Sequence, residues 1–192
     1  DMVGAFAATA NMQKVFTPRT YFFAVNSNNI PDKQERVSIF NTINKGDLIQ
    51  MCYPGNQSTE SIVPPGYLGY IDKPSSPHTT TSNVDNVSDK KKPLRFSITY
   101  GINHESCVVN TMKRYFKNTS YEIIAEVPDA EKVLADWKEN KIDVFFAYLE
   151  SDNTLDFFQL FNPDSNLTIG NREDLQIRKL ISDYNAETDP FR

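Results

Sequence analysis

Two stretches of the chain carry side chains that could do chemistry. The first is KIDVFFAYLESDNTLDFF, residues 141–158, where an apolar run from Ile142 to Tyr148 leads straight into Glu150, Asp152 and Asp156. Carboxylates this close together could hold a divalent cation, act as a general acid/base pair, bind a cationic group such as an amine, or simply face solvent. A calcium loop needs a glycine turn at its sixth position and a bidentate Glu at its twelfth. Counted from Asp152, those positions are Phe157 and Pro163, which argues against calcium. An acid/base pair is defined by a separation in space, so the sequence leaves it open alongside the solvated loop and the amine site.

The second stretch is His104-Glu105-Ser106-Cys107. A histidine near Ser or Cys suggests an activated nucleophile. Neighbours on one chain seldom point at each other, however, and no GxSxG elbow or cysteine-enzyme signature surrounds them. The other histidine, His78, lies in a Pro/Ser/Thr-rich stretch and reads as exposed. The seven glycines form neither GxGxxG nor GxxxxGK, so no phosphate loop is present. The reading assigns no catalytic residue, metal ligand or cofactor. Cys52 and Cys107 are far apart with no CxxC between them, and a chain of 192 residues gains little from a single bridge. Free buried thiols are therefore favoured over a disulfide. Asn56, Asn86, Asn118 and Asn166 each begin an N-x-S/T triplet, a pattern that an Asn-rich chain produces by chance.

These residues need elements to position them. Hydrophobic residues make up 39% of the chain and its net charge is −5. That composition suits one globular domain or two small lobes and argues against a nucleic-acid surface, which requires clustered positive charge. Lys90-Lys91-Lys92 sits beside a Ser/Asn/Asp-rich stretch and reads as a solvated loop. No apolar run is long enough to span a bilayer, and there is no signal-peptide pattern. Asp1-Met2 opens in the middle of an apolar phrase, as expected for an excised piece of a longer protein.

Along the chain, residues 20–25 (TYFFAV) read as a strand and 35–52 as one helix, with Val37, Phe40 and Ile43 three apart, Ile39 and Ile43 four apart, and Gly46 ending it. Residues 53–93 contain Pro54, Pro64, Pro65, Pro74, Pro77 and Pro93 and read as an irregular surface excursion. In residues 93–101, Leu94, Phe96, Ile98 and Tyr100 alternate with polar positions, giving a strand. Residues 105–116 carry a helical stripe, 121–127 a strand, and Pro128-Asp129 opens a helix with Val133, Leu134 and Trp137 on one face. Residues 142–149 form the next strand, and Asn171 caps a last helix carrying Leu175, Leu180, Ile181 and Tyr184. The predicted fold class is α/β, with a βαβαβ core over 94–149. Connections of that length imply parallel strands and right-handed crossovers. Ligands gather outside the carboxyl ends of such strands, where Glu150, Asp152, Asn103, His104 and 128–129 all lie.

Several phrases, in order, resemble the family-5 extracellular solute-binding proteins, the peptide- and nickel-binding partners of bacterial ABC importers. They are YFFAVN, ERVSIFNTINKGDL, VPPGYLGY, KKPLRFSITY, Trp137 through KENKIDVF, and FFQLF followed by GNREDLQIRKLI. The resemblance runs across nearly all of residues 1–190 and corresponds to the second lobe of such a protein. It implies a periplasmic-binding-protein-like lobe over 1–192, non-catalytic and without cofactor, that closes with another lobe over an oligopeptide-like or other small solute. By position, Asp152 matches an aspartate that pairs with the α-amine of a peptide, and Leu149 takes the place of a pocket tryptophan. Glu150, Asn103 and His104 complete the expected ligand-binding set. The implied partners are the solute and the membrane subunits of an ABC transporter, with no direct nucleic-acid binding. The implied location is periplasmic or extracellular and lipid-anchored. The alternative is the ligand-sensing domain of a bacterial transcription regulator, which would be cytoplasmic.

Overall fold

The computed structural model describes residues 19–59, 61, 63, 65, 91–99, 101–151, 160, 179, 182 and 183. Strand β1 (Arg19–Val25) is followed by helices α1 (Lys33–Thr42) and α2 (Lys45–Cys52). Then come β2 (Lys92–Ile98), α3 (Glu105–Phe116), β3 (Tyr121–Glu126), α4 (Ala130–Lys138) and β4 (Val144–Glu150). The sheet order is β1-β4-β2-β3. β2 runs parallel to both β3 and β4, as the βαβαβ reading expects, and β1 runs antiparallel to β4.

This order dictates where the helices lie. The chain steps from β2 out to β3 and then back past β2 to β4. Two right-handed crossovers in opposite directions put their helices on opposite faces of the sheet. Accordingly, Val108, Met112 and Phe116 of α3 join Ile39, Leu48 and Phe96 in one buried cluster. Val133 and Trp137 of α4 join Ala24 and Phe145 in another. β4 is covered on both faces, which explains its apolar run: Val144 and Phe146 enter the first cluster and Phe145 the second.

The middle of β2 and the amino end of β4 are tied together by one buried carboxylate. Asp143 accepts from the Arg95 backbone N–H (2.8 Å), from Arg95 Nε (3.0 Å) and Nη2, and from Asn29 Nδ2 (2.9 Å). Its own N–H donates to the Arg95 carbonyl, and its carbonyl accepts from Asn26 N–H at 2.8 Å. Asn26, fully buried at the end of β1, accepts from Asn28 N–H and Asn29 N–H and donates to Asn140 Oδ1. An aspartate and an asparagine turn thus bring the end of β1 and the start of β4 together against the middle of β2.

Four sequence expectations need correction. Residues 35–52 form two helices, not one. Asn44 caps the second by accepting from Asp47 N–H (3.0 Å), so the chain restarts there, and Gly46 lies inside α2 instead of ending a helix. Of the expected apolar residues, Ile39 and Ile43 are buried as read, while Val37 and Phe40 are each 41% exposed. Cys52 and Cys107 are not free thiols. α2 and α3 pack side by side, bringing the two Cα atoms to 5.7 Å, and the cysteines form a disulfide. Of the Lys run, Lys92 is strand and not loop, since it begins β2 and pairs with Glu35 at 2.7 Å. Residues 1–18, Tyr100, Asp152, Asp156, His78 and most of the 53–93 excursion lie outside the described residues. So does most of the helix expected after Asn171, of which 179, 182 and 183 are described and helical.

Asp143→Ala leaves the Asn29 amide and the Arg95 N–H without their acceptor and should lower stability by about 3 kcal/mol. Urea denaturation should show this as a lower midpoint with an unchanged slope.

Candidate functional site

The carboxyl ends of β2, β3 and β4 lie on one edge of the sheet. Because β1 is antiparallel, its first residues join that edge: Arg19 stands opposite Glu150, and Tyr21 opposite Tyr148. Alternation along a strand then puts Arg19, Tyr21, Tyr148 and Glu150 on the same face, the one covered by α2 and α3. Arg19 Nε donates to Glu150 Oε2 at 2.8 Å, and Nη2 donates to the same oxygen. The guanidinium carbon sits 4.6 Å from the Tyr148 ring centroid. Hydrogen bonds with Tyr21 and Glu150 push the guanidinium further above its ordinary range, so Arg19 stays charged. Both side chains remain partly open to solvent, Arg19 at 33% and Glu150 at 44%.

An aromatic line continues from this pair across the sheet edge. Tyr148 lies 5.7 Å from Tyr21, Tyr21 lies 4.8 Å from Tyr53, and Tyr53 meets the His104 ring edge-on at 5.8 Å. Tyr53 follows directly on the last residue of α2, and its hydroxyl donates to the Asn103 carbonyl at 2.9 Å. Burial raises its pKa, which keeps the hydroxyl protonated as a donor. The 101–104 loop is held from three sides. Ile102 is buried beneath it, Gly101 N–H donates to Glu105 Oε1 (3.0 Å), and Gly101 takes a positive φ of 89° that glycine adopts freely. His104 adopts φ 70°, which costs a side-chain-bearing residue roughly 1–2 kcal/mol, and this turn aims its exposed ring along the edge.

Of the residues picked from sequence, Glu150, Asn103 and His104 do lie on this edge and are joined by the aromatic line. Leu149 does not join them: as the strand neighbour of Glu150 it faces the α4 side, paired in register with Thr20. Asp152 lies outside the described residues. Arg19, Tyr21, Tyr53 and Tyr148 were missed. For Arg19, Tyr21 and Tyr148 the signal was a tyrosine or arginine near the end of a strand, readable only from the register of β1 on β4; Tyr53, at the end of α2, carried no such signal.

Chemically, the arrangement offers a cation, a carboxylate and aromatic faces, suited to binding a polar ligand with an apolar body. Cys107 is bonded to Cys52 and supplies no thiolate, which removes the pairing with His104 as a nucleophile. Among the described residues there is no group of three His, Cys, Asp or Glu placed to hold a metal ion. Nor, among those residues, is any helix long and apolar enough to cross a membrane.

No protein-family model matches the sequence, and no curated protein matches it in sequence. Solved structures match it in fold. The Escherichia coli murein tripeptide binding protein MppA aligns with a TM-score of 0.71 at 16% identity, covering 90% of this chain and 37% of its own. NikA from Staphylococcus aureus, in complex with Ni(L-His)2, aligns at 0.71 and 17% identity over 91% of this chain and 40% of its own. Haemophilus influenzae OppA, in complex with RPPGFSPFR, aligns at 0.69 and 14% identity over 90% and 38%. The chain therefore has the α/β fold of a lobe of periplasmic-binding-protein type, and it spans 37–40% of the length of these three structures.

An exposed ion pair contributes little to stability. Glu150→Gln should change unfolding free energy by less than about 1 kcal/mol, as read by urea denaturation, leaving the residue free to be judged by its effect on ligands.

Proposed function

We propose that this chain is one lobe of a solute-binding protein that closes with a second lobe over a peptide-like or other small zwitterionic solute. The observation that carries the reading is the open Arg19–Glu150 pair beside the Tyr21, Tyr53 and Tyr148 rings. A small zwitterion presents a carboxylate and an ammonium. Arg19 suits the first, and Glu150 with Asp152 suits the second. Each such contact is a charge-assisted hydrogen bond that strengthens when closure excludes water. Aromatic rings accept varied side chains, because their faces bury apolar area without demanding one shape. The likeness in fold to proteins that hold RPPGFSPFR or nickel with L-histidine supports this reading. In it the protein binds and releases its solute unchanged and hands it to the membrane subunits of an importer.

A disulfide favours an oxidising compartment, so the Cys52–Cys107 bond supports a periplasmic or extracellular, lipid-anchored protein over the cytoplasmic regulator.

The test is calorimetry on the complete polypeptide with a random tripeptide mixture and with the same mixture N-acetylated. Saturable binding that acetylation weakens is expected. Asp152→Ala should weaken the free-amine mixture by about 1.5–3 kcal/mol, the worth of a hydrogen bond to a charged group. Absence of saturable binding contradicts the peptide reading, and equal affinity for both mixtures contradicts the role of the carboxylates.

A further inference from the structure

We propose that the Cys52–Cys107 disulfide is the positioning device of the site's Tyr53 side, an inference that rests on the functional reading above. Cys52 is the last residue of α2, and Tyr53 follows it directly. Cys107 lies in the first turn of α3, directly after the 101–104 loop. The bond therefore clamps together the two segments that meet at the sheet edge. Beyond it, Tyr53 donates to the Asn103 carbonyl at 2.9 Å and sets its ring against His104 and Tyr21. Without the bond, the Tyr53 hydrogen bond and the packing of α2 on α3 would remain, with Arg114 paired to Asp47 and Tyr115 donating to Asn44 and Asp47 nearer the start of α2. A covalent tie next to both contact partners holds the ring at a set place along the edge. Preorganisation of this kind raises affinity by removing the cost of ordering the site on binding.

A mainly structural disulfide would act differently. Closing a loop with 55 residues of separation stabilises the whole fold through the unfolded chain, with no preference for Tyr53. The two roles therefore differ in where their loss is felt. Cys107 is the reachable end of the bond: it is half-buried and lines a surface cleft of about 290 Å³ together with Met51, Asn110, Thr111 and Arg114, while Cys52 is buried.

The experiment is amide hydrogen exchange on the complete, ligand-free polypeptide. It compares the oxidised protein, the same protein reduced with a phosphine, and Tyr53→Phe with the disulfide intact. At short labelling times, where exchange follows local opening and not global unfolding, reduction should speed exchange about tenfold or more in the segments holding Tyr53 and residues 101–104, with β2 and β4 unchanged. Tyr53→Phe should loosen 101–104 in the same direction and to a smaller extent. Affinity for the random tripeptide mixture should fall about tenfold on reduction, at a temperature where both forms are fully folded. Unchanged exchange at these segments, equal loosening throughout the sheet, or local loosening with unaltered affinity would each overturn the proposal. The exchange measurement needs no solute. If the oxidised protein itself fails to bind the tripeptides, the functional reading has failed, and exchange alone decides the role of the disulfide.

Discussion

A buried carboxylate at the amino end of β4 accepts four hydrogen bonds, from Arg95 and Asn29, while its own peptide group bonds to Arg95 and Asn26. That arrangement holds the start of β4 against β2 and against the end of β1. A strand paired one residue out of step would turn every side chain to the wrong face. Asp143 prevents this by leaving one register in which its charge is satisfied. Burying a carboxylate is costly unless its hydrogen bonds are met, so the fold depends on this set being complete.

The consequence appears seven residues further along the same strand. With the β4 register fixed on β1, Glu150 must meet Arg19 and Tyr148 must meet Tyr21. The two ends of the sheet therefore differ in kind. At the amino end, polar groups are buried and satisfied by one another. At the carboxyl edge, a charged pair stays partly open and the neighbouring rings touch mainly one another. The first set holds the scaffold, and the second remains available to a ligand.

The regular half of this design was legible in the sequence. Strict alternation at Leu94, Phe96 and Ile98, the helical stripe of α3, and Asp129 as a cap all predicted elements that the structure contains. The parallel order followed from connection length and the handedness of crossovers. Asn26 and Asp143 stood inside the phrases YFFAVN and KIDVF, yet the sequence alone did not say that they bond one another. The helix break was missed because Gly46 looked like a stop, whereas Asn44 acts as a new start. The disulfide was missed because its two cysteines are 55 residues apart, with an irregular excursion between them. The tyrosine line was missed for a related reason. It depends on which residues of β1 face which residues of β4 and on where the end of α2 meets them, and no local pattern encodes either.

The central claim is that solute is received at the carboxyl edge and not elsewhere on the lobe. Backbone chemical-shift mapping of the complete polypeptide during titration with a random tripeptide mixture tests it most directly. The account predicts shifts concentrated at 19–21, 53, 101–104 and 148–151, with 26–29 and 140–143 unmoved. Shifts centred on the Asp143 end, or on the exposed surface of α4, would contradict it.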